Sequence, residues 1–121
     1  MSISLDIMTE KNFEKLLKEY DTDKYNINPI NLLEKLSQYY TNFSGKLNRL
    51  YDIISEGEQI INNFSQEEDF LIYKLSKKYI IELVNKSNND ELVDKWGYII
   101  EAFEISNDTA EEDYLYFIIC K

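Results

Sequence analysis

The side chains that could do chemistry in this chain are its carboxylates. There are 23 Asp and Glu and no histidine, which removes Ser–His and Cys–His nucleophile pairs, most zinc and iron sites, and the usual general base near neutral pH. The single Cys120 cannot form an internal disulfide. With no base near it in sequence, it suits a small buried hydrophobe better than a nucleophile. Three isolated glycines cannot build a phosphate-cradling loop. Glu101 and Glu104 lie one helical turn apart, but a metal site in a helical bundle adds Glu-x-x-His partners. A solvated helix face accounts for the pair. Asp21 and Asp23 stand at the first and third places of an EF-hand-like loop. Asn26 then replaces its glycine and Leu32 its bidentate glutamate, so a helix-to-helix turn is expected. No catalytic residue, cofactor or metal is expected.

The elements that would carry these groups read as helices. Thr9 is a candidate N-cap, with Met8 stapled to Phe13, and Phe13, Leu16, Leu17 and Tyr20 recur at helical spacing up to Asp21-Thr22-Asp23. Asn28 caps a second helix with Pro29 in its first position and Ile27 stapled to Leu32. Its stripe of Leu32, Leu33, Leu36, Tyr39, Tyr40 and Phe43 is followed, past a break or bend at Ser44-Gly45, by Leu47, Leu50, Tyr51, Ile54 and Ile61 at helical spacing, as one long helix or two nearly collinear ones, weakened at Gly57. Ser65 with Glu68 forms a capping box for a helix carrying Leu71, Leu75, Tyr79 and Leu83, whose first turn would hold Glu67, Glu68 and Asp69. A further helix runs from Asn89-Asp90 through Leu92, Val93, Trp96, Ile99, Ile100 and Phe103, and Thr109 with Glu112 opens a last one over residues 110–119. The expected fold is all-α: one domain over residues 1–121, a compact bundle of about five to six helices. Residues 114–120 could instead be a strand, because periodicity cannot separate helix from strand in so short an apolar run.

Composition narrows the partners. The 44% hydrophobic and 14% aromatic content is that of a globular chain. Against 13 basic residues the acids leave a net charge of −10. That disfavours nucleic acid, where phosphate neutralisation dominates, and anionic membrane alike. It favours a basic protein partner. The charge is blockwise: residues 1–51 hold seven acids and seven bases, 52–69 six acids and no base, 70–87 one acid and four bases, and 88–121 nine acids and two bases. The opening residues carry no signal-peptide pattern and no apolar run reaches a membrane span, so a cytoplasmic protein is expected.

In size, acidity and lack of catalytic motifs the chain resembles small bacterial immunity proteins, the antitoxins paired with nuclease bacteriocins or contact-dependent growth inhibition toxins. The resemblance implies inhibition of a cognate, basic toxin by binding. The expected contact surface is acidic, with Asp94, Glu101, Glu104, Asp108, Glu111, Glu112 and Asp113 supplying charge and Trp96, Tyr98, Tyr114 and Tyr116 as aromatic anchors. The acidic block 52–69 is the rival contact surface. A nucleic-acid-mimicking inhibitor of a DNA-binding complex and a non-catalytic adaptor subunit are the alternative functions. The oligomeric state is left open.

Overall fold

In a computed structural model, described over residues 2–23, 25–37, 39–44, 54–79 and 114–120, the chain is mixed α/β rather than all-α. The described elements are β1 (Ser2–Thr9), α1 (Glu10–Asp23), α2 (Pro29–Leu36), β2 (Tyr39–Ser44), β3 (Glu58–Ile60), α3 (Asn63–Glu68), β4 (Phe70–Ser76) and β5 (Tyr114–Cys120). Among the described residues the strands form one antiparallel sheet in the order β2-β1-β5-β4-β3.

The first two helices form where their end signals place them. The backbone N–H of Asn12 donates to the Thr9 hydroxyl, and Phe13, Leu16 and Tyr20 are the buried face of α1. The Asn28 side chain accepts from the Ile30 N–H, Pro29 opens α2, and Leu32, Leu33 and Leu36 are buried. Between them, the amides of Asn26 and Ile27 both donate to the Asp23 carbonyl and the Asn26 side chain donates to the Asp23 carboxylate, which makes a turn of this loop. The Asn12 side-chain amide reaches the Leu36 carbonyl and ties the end of α2 to the start of α1.

Over residues 39–44 the helical expectation fails, while Leu47, Leu50 and Tyr51 lie outside the described residues. Ser37 is extended, and Tyr39, Tyr40 and Phe43 lie on β2, not on a continued helix. Ser65 is not a cap. It is the third residue of the short α3, where its amide donates to the Asn62 side chain and its hydroxyl accepts from the Asn62 amide. Asp69 then ends α3 in the left-handed region at φ 57° and turns the chain into β4, a conformation Asp tolerates better than most residues. Glu67 and Glu68 consequently sit in the last turn of α3, where the helix dipole is unfavourable to them, rather than in a first turn.

Strands β4 and β5 were disguised by burial on both faces. On one face Phe70, Ile72, Tyr116 and Ile118 join Met8, the buried side chains of α1 and α2, and Phe64 of α3 in a single core. On the other, Leu5, Ile7, Tyr73, Leu75, Leu115, Phe117 and Ile119 are buried too. A strand apolar on both sides satisfies a helical template as easily as a strand one. Residues 114–120 adopt the strand alternative. The expected helices over 89–103 and the start of the one at 110 lie outside the described residues.

Candidate interaction surface

Nine of the eleven expected contact residues, Asp94, Trp96, Tyr98, Glu101, Glu104, Asp108, Glu111, Glu112 and Asp113, lie outside the described residues. The other two are on β5 and have different environments. The Tyr116 ring stacks on Phe13 at a centroid distance of 4.1 Å and is 6% exposed, so its aromatic surface is committed to the core. Tyr114 is 40% exposed, and the Lys74 ammonium lies 4.3 Å from its ring centroid.

The sheet register builds the surroundings of that pair. Glu58, Lys74 and Tyr116 are direct cross-strand neighbours on β3, β4 and β5. Burial works against the Lys74 charge, but Tyr116, Glu10 and Glu58 outweigh it and hold its pKa above the usual lysine value. One strand away, burial raises the Tyr116 phenol against the opposing pull of Lys74. The 36% exposed Tyr79 donates its hydroxyl to the Glu56 carboxylate, a bond that raises the phenol's pKa. At the β3 margin, therefore, Glu56 is paired with Tyr79 and Glu58 faces Lys74.

The same segment supplies a second acid–tyrosine arrangement. Tyr20 of α1 donates to Glu67 at 2.6 Å and lies 3.0 Å from Glu68, while its ring meets Phe64 edge-on at 5.0 Å. The Glu67 bond, then burial, holds its phenol far above the ordinary range. One hydroxyl thus partly offsets two carboxylates at a helix end that disfavours them. From Ile54 to Asp69 the described chain carries Glu56, Glu58, Glu67, Glu68 and Asp69 and no basic residue.

Asp6 is a feature the sequence reading missed. It sits mid-strand on β1 between Tyr40 and Ile118, is 3% exposed, and its Oδ1 has no hydrogen-bond partner among the described residues. Burial pushes its carboxyl up to about 6; a hydrogen bond with Ser37 opposes this and Glu34 adds to it. A polar residue between Leu5 and Ile7 was the available signal. Among the described residues no group of three or more His, Cys, Asp or Glu is placed to hold a metal ion. No described helix is long and apolar enough to cross a membrane. Compared with known proteins, the chain matches no family model, no curated protein and no solved structure.

Proposed function

We propose that this chain is a cytoplasmic, non-catalytic immunity protein that neutralises a basic, nuclease-type toxin by covering it with an acidic, tyrosine-bearing surface. The observation that supports the reading best is the base-free acidic stretch of residues 54–69, in which Glu56 accepts from Tyr79 and Glu58 faces Lys74, whose ammonium lies over the Tyr114 ring. Clustered carboxylates repel one another in the free protein, and an approaching partner's Lys and Arg relieve that repulsion. Tyrosines already held in place add contact area at little entropic cost.

The test begins with the basic protein that co-purifies from the native host at low salt. Two variants are compared with wild type: Glu56→Gln, Glu58→Gln, Glu68→Gln and Asp69→Asn together, and Glu101→Gln, Glu104→Gln, Glu111→Gln and Glu112→Gln together. The block that forms the contact should lose about tenfold or more in association rate, with a shallower salt dependence. A rate and salt slope unchanged in both variants would sink the acidic-surface reading. Failure of the wild-type chain to protect that protein's target would sink inhibition.

A further inference from the structure

Among the described residues the outer edge of β3 is unpaired. Strand β3 ends the sheet order, and among the described residues no strand lies beyond it. Glu58 and Gln59 are exposed, Ile60 is half-buried, and Ile61 immediately after is 66% exposed. Unpaired edge strands invite another chain to add to the ladder, and proteins usually blunt them with lysine, proline, a bulge or a cover. From Ile54 to Asp69 there is no lysine, arginine or proline. The guards on this edge are its brevity and its negative charge.

The strand is also held ready at both ends. Before it, the Gly57 amide donates to the Ile54 carbonyl, and the glycine lies so close to β4 that an added Cβ would come within 2.7 Å of the Leu75 side chain and the Lys74 carbonyl oxygen. After it, Asn62 and Ser65 lock the start of α3 through their reciprocal capping bonds. An edge anchored in this way loses little conformational freedom when another strand pairs with it.

We infer that the β3 edge docks an extended, lysine- or arginine-bearing segment of a protein partner by strand addition, with Glu56 and Glu58 selecting its charge. This rests on the acidic-surface reading above and specifies how that surface is used. Main-chain hydrogen bonds supply the attachment, alternate side chains of the incoming strand lie along the two faces, and Ile61 offers an apolar contact next to the ladder. A second copy of this chain is a poor occupant, because each copy carries a net charge of −10 and the same acidic edge.

The test uses three end-capped octapeptides, alternating Lys with Val, Lys with Pro, and Glu with Val, titrated into the full-length chain while backbone amide exchange is followed by NMR. The Lys–Pro peptide carries the same charge but lacks every second N–H and favours polyproline II, which pairs poorly in a ladder. The Lys–Val peptide should bind about tenfold more tightly than Lys–Pro, the difference expected for two or so net hydrogen bonds. It should also slow exchange at outward-pointing amides among Glu58, Gln59, Ile60 and Ile61. Glu58→Gln should weaken Lys–Val binding severalfold, and the Glu–Val peptide should not bind. Equal binding of the two lysine peptides, without amide protection, overturns strand addition and leaves a purely electrostatic acidic surface standing. If neither binds better than Glu–Val, strand addition is overturned and the 54–69 block is removed as a contact surface as well.

Discussion

Asp6 carries a cost that the rest of β1 does not. Its carboxyl has one hydroxyl partner, Ser37, and one oxygen with no partner among the described residues, in a site that is 3% exposed. A folded-state pKa raised from 3.8 to about 6 means that the folded chain holds this proton more tightly than the unfolded one. The group's contribution is therefore most favourable below about pH 3.8, and the penalty builds between 3.8 and about 6 and is complete above that. Over a shift of that size the penalty at pH 7 is on the order of 1–3 kcal/mol. Asp6→Asn is expected to stabilise the protein by that order at pH 7 and to show little advantage at pH 4. Urea midpoints at the two pH values give the answer, and equal gains at both would mean that the carboxyl does not titrate as a buried group.

Gly57 makes the opposite prediction. An alanine there would place its Cβ against the Lys74 carbonyl, which is backbone in a paired strand and cannot swing aside. Gly57→Ala should cost about 1–3 kcal/mol, as overpacking does elsewhere, against the small gain expected from replacing a glycine in open space. Thermal or chemical denaturation of the single variant checks it. A stabilised variant would mean that β3 does not approach β4 this closely.

At the scale of elements, legibility followed how many faces each element buries. Helix α1 has one buried side and a polar remainder, so Phe13, Leu16 and Tyr20 stood out against Lys11, Glu14, Lys15 and Lys18. Helix α2 had both a cap and an N1 proline to mark its start. Strand β4 has neither kind of signal: Phe70 and Ile72 are buried on one side, Tyr73 on the other, and the four-residue spacing of Leu71, Leu75 and Tyr79 imitates a helix face. The Ser65–Glu68 box reinforced the error. Its serine does take part in capping, but as the partner of Asn62, and α3 ends at Glu68 before any stripe can form. Strand β1 does carry a period-two signal, Ile3, Leu5 and Ile7 alternating with Ser2, Ser4 and Asp6, which the sequence reading leaves unassigned. The sheet pairings that decide the fold join residues far apart in sequence, such as Thr9 with Leu115 and Phe70 with Cys120, and no local pattern announces them.

For the whole molecule, the charge was legible as a quantity and as two blocks, but its location was not. Of the two blocks, only 54–69 falls largely among the described residues: Glu56 and Glu58 stand at the β3 margin with Tyr79 and Lys74, and Glu67 and Glu68 end α3 beside Tyr20 of α1. Concentrated charge of one sign should show in the stability of the free protein. At about 10 Å in water two like charges repel by roughly 0.4 kcal/mol, and several such pairs over a net charge of −10 add to a measurable load. Raising ionic strength from 0.01 to 0.15 M shortens the screening length from about 30 Å to about 8 Å. The unfolding free energy should rise by about 1 kcal/mol over that range, since an extended chain holds its charges farther apart than a folded one does. Joint replacement of Glu56, Glu58 and Glu68 by Gln and of Asp69 by Asn should flatten the slope if the 54–69 block carries much of the repulsion. The measurement is urea denaturation of both proteins at the two salt concentrations. A slope unchanged in the quadruple variant would assign the repulsion to carboxylates elsewhere and weaken the case that this block is held in readiness for a basic partner.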